Sequence, residues 1–179
     1  SKLEPQMLMS IRTLNLDEVN KLGEGVKAIA LPDERWDKVD IKTTNLIPNI
    51  LAQTKAEKKF AYTAMLFRDG ICTEGATSNV FAVKDGILYT HPADNHILKG
   101  ITRQMIVTRV APSLGITLIE KEFDRAFVDD ADELFFTDTI GGVIPIIKLD
   151  KNPVSGGKPG HVTLRLREAL EKLMEEGLP

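Results

Sequence analysis

The sequence contains a single cysteine, Cys72, among its 179 residues. One cysteine excludes an internal disulfide framework and suits a reducing compartment, so we expect a cytoplasmic protein. No apolar run approaches the length of a membrane-spanning helix, and the first residues lack the pattern of a signal peptide. We therefore expect neither a membrane location nor secretion.

The sequence also lacks a large excess of either positive or negative charge. The chain has 23 lysine and arginine residues against 26 aspartate and glutamate residues, for a net charge of -3. This balance gives no electrostatic reason to expect a nucleic-acid partner or an anionic membrane. Hydrophobic residues make up 42% and charged residues 27%, which is typical of a globular domain with a sizeable core.

Several catalytic patterns are missing. The three histidines, His91, His96 and His161, show no metal-ligand spacing, so we expect no metal site. The sequence also has no Gly-x-Ser-x-Gly elbow and no phosphate-binding Walker pattern. The function must therefore be sought in other residues.

Strand-like and helix-like stretches alternate along the chain, with turn signals between them. Asp85-Gly86 between two β-rich runs is the strongest hairpin signal. The patterns predict strands at 26–31, 61–67, 78–83, 87–90, 116–123, 133–137 and 143–149, and helices at 45–59, 100–115 and 161–176. Hairpins mixed with single helices predict a mixed α/β (α+β) fold and not a doubly wound parallel sheet.

Lys42 lies at a junction between predicted elements. Residues 39–41 read as the end of a strand, and an apolar stripe of helical spacing begins at Leu46. A lysine at such a junction is usually a solvated surface residue. Held in a semi-apolar pocket, it would instead be a nucleophile that forms a Schiff base with an aldehyde or ketone.

The stretch "TEGATSNVF" (73–81) supplies a carboxylate in a confined setting. Glu74 follows a short strand, precedes a glycine and is followed by small hydroxylic residues. One interpretation is a polar turn. The other is a carboxylate that pairs with a pyridine nitrogen, with Asn79 fixing the carboxylate or the loop by hydrogen bonds.

Two further stretches offer donors to an anion. In "KGITR" (99–103), Gly100 allows close approach, and Ile101 and Thr102 offer the first N–H groups of a helix. Alone this signal is weak, because many helices start with glycine and threonine. In "TDTIGG" (137–142), threonines and glycines also present donors, but the charge of Asp138 would oppose a phosphate unless it points away.

Taken together, these stretches are more specific than any one of them. "DIKTTNL", "TEGATSNVFAVKDGILYTHPADNHILKGITRQ" and "ADELFFT" resemble the fold-type IV pyridoxal-phosphate aminotransferases, from about Val26 to the C-terminus. This family includes branched-chain and D-amino-acid aminotransferases and aminodeoxychorismate lyase, and the D-amino-acid branch is the most similar. Leu46 stands about where a branched-chain enzyme would carry a tyrosine that contacts the cofactor, which weakens the branched-chain interpretation.

The resemblance implies pyridoxal 5′-phosphate as cofactor and an amino-group exchange between an amino acid and a 2-oxo acid. Lys42 would form the Schiff base and move the proton between substrate and cofactor. Glu74 would pair with the pyridine nitrogen, and Leu98 would pack against the ring.

The resemblance also assigns the phosphate. Ile101 and Thr102, after Gly100, would bind it at the start of the helix, and Thr139 would bind it from the second loop. Asp138 departs from the small or hydroxylic residue expected there, which leaves the backbone donors of that loop as its contribution.

The family resemblance predicts the domain organisation. Residues 1–25 would be an interdomain connection, and residues 26–179 the cofactor-binding large domain of a homodimeric enzyme. The smaller N-terminal domain of the family is not recognised, so we expect impaired catalysis in this chain alone. The alternatives are a lyase of the aminodeoxychorismate type, a branched-chain aminotransferase, and a non-catalytic truncated domain.

Overall fold

The computed structural model describes residue 4 and residues 6–177. In this part of the chain the strands are β1 Val26–Pro32, β2 Thr63–Arg68, β3 Ile71–Gly75, β4 Asn79–Lys84, β5 Ile87–Thr90, β6 Leu118–Glu120, β7 Glu133–Asp138, β8 Gly142–Leu149 and β9 Asn152–Pro153. The helices are α1 Leu16–Lys21, α2 Ile47–Glu57, α3 Ile101–Met105, α4 Ala111–Ser113, α5 Arg125–Asp129 and α6 His161–Glu175, with a π-helical segment Ile106–Val110 between α3 and α4.

The strands form one mixed sheet in the order β3-β2-β1-β8-β7-β4-β5-β6, with β9 paired to β8. β1 runs parallel to both β2 and β8, and β5 runs parallel to β6. The remaining pairs are antiparallel. The mixed α/β class predicted from the sequence is confirmed.

The centre of the sheet is buried on both faces. Val80 of β4 and Phe136 of β7 face one apolar cluster, which α5 helps to cover. Phe81 and Phe135 face the other cluster, against α6 and the helical segment that follows α3. These two rings are paired across the strands and stacked with centroids 4.9 Å apart. Because successive side chains of a β-strand point to opposite faces, the same strands contribute residues to both apolar clusters.

Helix α2 covers β1 and β2 with its small residues. Ala52 and Ala56 are buried there in a third apolar cluster with Ile29 of β1. The larger apolar residues at the start of the predicted helix point elsewhere, since Ile47 is 69% and Ile50 60% exposed. The helix was predicted correctly, but its apolar stripe is not the face that packs on the sheet.

Other predictions need correction. Residues 39–41 form a turn and a bend instead of a strand end. The predicted strand at 116–123 is short, Leu118–Glu120, and the helix at 100–115 contains the π-helical segment. The hairpin at Asp85-Gly86 is confirmed, with φ values of 51° and 74° that suit the tight turn.

Candidate functional site

One cavity of about 350 Å³ opens beside the loop that joins β1 to α2. The end of β3, the start of α3 and the loop after β7 contribute its other walls. Its lining includes every residue that the sequence predicted for the site: Lys42, Glu74, Asn79, Leu98, Gly100, Ile101, Thr102, Asp138 and Thr139. Residues that are far apart in the sequence thus meet in one place.

Lys42 reaches the cavity from the loop between β1 and α2. The residue itself is exposed, so the chain as described lacks the apolar burial that the sequence hypothesis required for this lysine. The loop is attached to the segment between β5 and α3, because Val39 N donates to Asn95 O at 2.9 Å. The amine is therefore accessible to a ligand that enters the cavity.

Glu74 lies at the end of β3 with its side chain only 6% exposed. Oε1 accepts from Arg35 Nη1. Oε2 accepts from Asn79 Nδ2 at 2.8 Å and from Leu98 N at 3.1 Å. Both carboxyl oxygens are therefore held by donors from three other segments, which fixes the orientation of the group.

The surroundings of Glu74 change its acidity. Burial raises the pKa of Glu74 to about 7, although the charge and hydrogen bond of Arg35 and the Leu98 N–H oppose the rise. A carboxyl group with a pKa near neutrality gains or loses a proton at little cost at cellular pH. Glu74 is thus suited to share a proton with a basic ring nitrogen.

Arg35 is the main residue that the sequence analysis missed. Its guanidinium is buried and joins Glu74 to Asp33, whose Oδ2 accepts from Nη2 at 2.7 Å. Nη2 also donates to His96 O at 3.2 Å. Burial of Asp33 disfavours its charge, but the contacts with Arg35 outweigh that effect and lower the pKa of Asp33 to about 2.

The signal for Arg35 in the sequence was weak. "PDERWD" (32–37) reads as a charged turn after a strand, and charged turns are usually solvated. Only the fold shows that this turn folds back over β3, where Thr73 Oγ1 donates to Asp33 Oδ2 at 2.8 Å. The arginine was therefore not recognisable from local pattern alone.

The side chain of Asn79 restricts residue 100 to glycine. Asn79 Nδ2 donates to Leu98 O at 2.8 Å as well as to Glu74, so it joins the carboxylate to the segment before α3. A Cβ atom on Gly100 would lie 2.3 Å from Asn79 Oδ1, which is shorter than the contact distance of two non-bonded atoms. Gly100 is required because the backbone passes directly over the asparagine.

The start of α3 forms the anion-attracting wall. Ile101 and Thr102 are the first residues of the helix, where backbone N–H groups lack intrahelical acceptors. The Thr102 hydroxyl donates to Asp138 O at 2.9 Å, so its hydrogen is already in use. The backbone of this wall is therefore a better donor to a ligand than the threonine side chain.

Asp138 turns towards its own loop. Its Oδ1 accepts from Ile140 N at 2.9 Å and from Gly141 N at 2.6 Å, and Tyr62 Oη donates to Oδ2 at 3.3 Å. Two backbone donors that the sequence analysis offered to a phosphate are thus occupied by this carboxylate. Thr139 remains as the residue of the loop that lines the cavity.

Three buried polar atoms in the lining have no hydrogen-bond partner in the described chain. They are Ser78 Oγ, Thr137 Oγ1 and Arg103 Nε. Buried polar groups are normally satisfied, so these atoms indicate a polar ligand. Together with the accessible amine, the Glu74 carboxyl and the helix start, they fit pyridoxal phosphate, which carries an aldehyde, a ring nitrogen and a phosphate.

Among the described helices, none combines the length and apolarity required to cross a membrane.

Curated relatives of this chain include D-alanine aminotransferases. The protein from Staphylococcus aureus (strain COL) is 42% identical over 154 residues, which is 86% of this chain and 54% of that protein. The protein from Bacillus licheniformis is 40% identical over 147 residues, which is 82% of this chain and 52% of that protein. The chain therefore spans about half the length of the curated relatives it matches.

Solved structures with the same fold include branched-chain aminotransferases. The Escherichia coli enzyme is 30% identical, with a TM-score of 0.74 over 84% of this chain and 52% of that one. The T.th. enzyme in complex with N-(5′-phosphopyridoxyl)-L-glutamate is 29% identical, with a TM-score of 0.79 over 89% of this chain and 55% of that one.

The sequence model of the family described as amino-transferase class IV matches residues 1–149. This family uses pyridoxal phosphate as its cofactor. The match covers most of the chain, and it agrees with the similarity to the D-alanine aminotransferases and with the shared fold. This chain belongs to the class IV aminotransferases.

Proposed function

We propose that this chain is the cofactor-binding domain of an enzyme that transfers an amino group between an amino acid and a 2-oxo acid. The observation that carries the proposal is the cavity in which Lys42, the buried Glu74 and the start of α3 meet. A D-amino acid is the proposed substrate class, because the curated relatives are D-alanine aminotransferases.

Pyridoxal phosphate, when bound, supplies an aldehyde carbon that takes up the amino group and a ring that withdraws electrons from it. Lys42 would hold the cofactor through its amine and would move a proton at the substrate Cα. Glu74 would pair with the ring nitrogen, and Leu98 would pack beside the ring. Asn79 and Arg35 keep the Glu74 carboxyl in place.

The phosphate is assigned to the wall that begins at Gly100. The N–H groups of Ile101 and Thr102 would bind it, aided by the positive end of the helical dipole. Thr139 contributes from the opposite loop. Asp138 acts by ordering that loop and not as a ligand, since its carboxylate already accepts from Ile140 N and Gly141 N.

The domain assignment is part of the proposal. Residues 26–179 form the cofactor-binding domain and residues 1–25 the connection to a smaller N-terminal domain. The match to only about half of each relative supports this division. The complete assembly is proposed as a cytoplasmic homodimer that includes this smaller domain, which would supply much of the substrate site.

A branched-chain aminotransferase is the second candidate, because the structural neighbours carry that name. Leu46 lines the cavity where a tyrosine was expected in that branch, which favours the D-amino-acid assignment. A lyase of the aminodeoxychorismate type is distinguished by its products, since it would release pyruvate without any amino acceptor.

The test is to add pyridoxal phosphate to the purified chain, reduce with borohydride and map the modified lysines by mass spectrometry. We expect one adduct per chain at Lys42, lost in Lys42→Ala and retained in the control Lys38→Ala. Adducts scattered over surface lysines, or an undiminished adduct in Lys42→Ala, would contradict the assignment.

A further inference from the structure

The loop between β5 and α3 brings together three metal-ligating side chains outside the cofactor cavity. One donor atom each of His91, Asp94 and His96 lies within 4.8 Å of the others. We propose that these side chains bind a divalent first-row transition metal ion of the Zn²⁺ type. The sequence analysis expected no metal because it considered only the histidines, whereas the aspartate completes the group.

The carboxylate of Asp94 lies between the two imidazoles. Its Oδ1 is 3.8 Å from His91 Nδ1, and its Oδ2 is 3.7 Å from His96 Nδ1. Both separations are too long for hydrogen bonds, so the three groups face one another without a direct bond. An ion would be held by Asp94, by His96 and by the His91 nitrogen that does not contact Pro92 O.

The contraction that an ion requires between Asp94 and His96 is small. Nitrogen and oxygen ligands lie about 2.0–2.2 Å from Zn²⁺, so tetrahedral donors are about 3.3 Å apart. Asp94 and His96 are about one-third exposed, at 34% and 35% of their side-chain surface, and they can rotate inward. Their exposure also gives the ion a route from solvent.

His91 is prepared for coordination by its neighbours. Its Nδ1 lies 2.9 Å from Pro92 O, and a carbonyl oxygen only accepts, so Nδ1 carries the proton. The lone pair is then on Nε2, so Nε2 is the ligand atom of His91, in the tautomer that metal-binding histidines adopt when a carbonyl holds the other nitrogen. The His91 carbonyl accepts from Arg103 Nη2 at 2.6 Å, which fixes the backbone here.

The loop is held at several points around the cluster. Asn95 Nδ2 donates to Asp37 O at 2.9 Å. His96 O accepts from Arg35, and Leu98 N donates to Glu74. The ligands are therefore presented by a fixed backbone. A bound ion would fasten the same loop that orients the Glu74 carboxyl.

The donor set selects the kind of ion. Two imidazoles and one carboxylate suit Zn²⁺, Co²⁺ or Ni²⁺, whereas Mg²⁺ and Ca²⁺ prefer sites made only of oxygen. Three protein ligands leave the fourth position to water.

The experiment is a calorimetric titration of the full, metal-free chain with Zn²⁺. We expect one ion per chain. His96→Gln and Asp94→Asn should each weaken binding at least tenfold. His161→Gln is the matched control, because His161 is an exposed histidine at the start of α6, and it should bind as the unmodified chain does. Excess Mg²⁺ should not compete.

A second readout separates loss of the site from loss of the fold. Circular dichroism should show the same secondary structure in all variants. In Asp94→Asn the new amide oxygen would still accept the hydrogen bond that Asp94 Oδ1 receives from His96 N. Zn²⁺ should raise the unfolding temperature of the unmodified chain and His161→Gln only. Absence of binding, equal binding in the ligand variants, or loss of binding in His161→Gln would overturn the proposal.

Discussion

Glu74 and Arg35 form the part of the cavity in which single residues matter most. The arginine is the only group in the described cavity lining that contacts both Glu74 and Asp33. Asp33 has no exposed side-chain surface. Removing the arginine would leave two buried carboxyl groups without their main counter-charge, which is far more costly than losing a surface ion pair.

We predict that Arg35→Met lowers the free energy of unfolding by about 3–5 kcal/mol, the range found when one partner of a buried ion pair is removed. Denaturant titration of the unmodified and variant chains measures this loss. Arg109→Met is the control, because it makes the same substitution at an exposed arginine. Equal losses in the two variants would show that Arg35 is not an essential counter-charge.

The raised pKa of Glu74 predicts a pH dependence of stability. The folded pKa is about 7 and the ordinary value is 4.5, so between these values the folded state binds more protons than the unfolded state. Stability from Glu74 is therefore full below about pH 4.5 and is lost as the pH rises towards 7. The shift corresponds to about 3 kcal/mol.

Comparison with Glu74→Gln isolates this contribution. Between about pH 4 and 8, the unfolding free energy of the unmodified chain should fall by about 3 kcal/mol relative to Glu74→Gln. The exposed Glu168→Gln should show no such trend. A constant difference between the unmodified chain and Glu74→Gln across this range would mean that the pKa of Glu74 is not raised.

At the scale of secondary-structure elements, the sequence predicted the helices and turns whose pattern lies within a few neighbouring residues. The Asp85-Gly86 hairpin and the amphipathic helix α6 have periodicity or turn chemistry within a few residues. The short strand expected before Glu74 is present as β3, which pairs with β2 across the turn at Asp69-Gly70. The short helix α5 was missed, although Asp124 caps it by accepting from Phe127 N at 2.8 Å.

The start of α6 shows how a distant residue completes an element. Glu133, the first residue of β7, is buried and accepts from Val162 N at 2.9 Å and Thr163 N at 2.7 Å. It also accepts from the Thr163 hydroxyl at 2.7 Å. Its negative charge stabilises the positive end of the helical dipole. A Cβ atom on Gly160 would lie 2.0 Å from Glu133 Cδ, which explains the glycine before the helix.

We predict that Glu133→Ala lowers the free energy of unfolding by about 2 kcal/mol, because the donors at the start of α6 lose their acceptor. Thermal or denaturant unfolding measures the change. Glu168→Ala, an exposed substitution within α6, should cost less than about 0.5 kcal/mol. A similar cost at both positions would exclude a capping role for Glu133.

At the scale of the whole molecule, the sequence predicted which motifs share the site but not how they are held. Lys42, Glu74 and Ile101 were recognised because the motifs around them resemble a family. Arg35 was not, since its contacts join three segments that only the sheet order brings together. The exposed apolar face of α2 is likewise visible only when the packing is known.

This face of α2 carries large apolar side chains that the described chain leaves exposed. Leu46, Ile47, Ile50 and Leu51 are each about half exposed or more, beside the cavity that Leu46 lines. Contiguous apolar patches of this kind usually mark interfaces. A second copy of this chain is the occupant that agrees with the proposed homodimer.

We predict that the purified chain self-associates through this face and that Ile50→Lys shifts it towards monomer by at least tenfold in dissociation constant. Sedimentation velocity over a range of concentrations measures the shift. Leu164→Lys provides the control, because Leu164 is 44% exposed on α6, away from α2. If both variants associate like the unmodified chain, then α2 is not the dimer surface. In that case we would expect the apolar residues of α2 to pack instead against a region that corresponds to the unmatched part of the relatives.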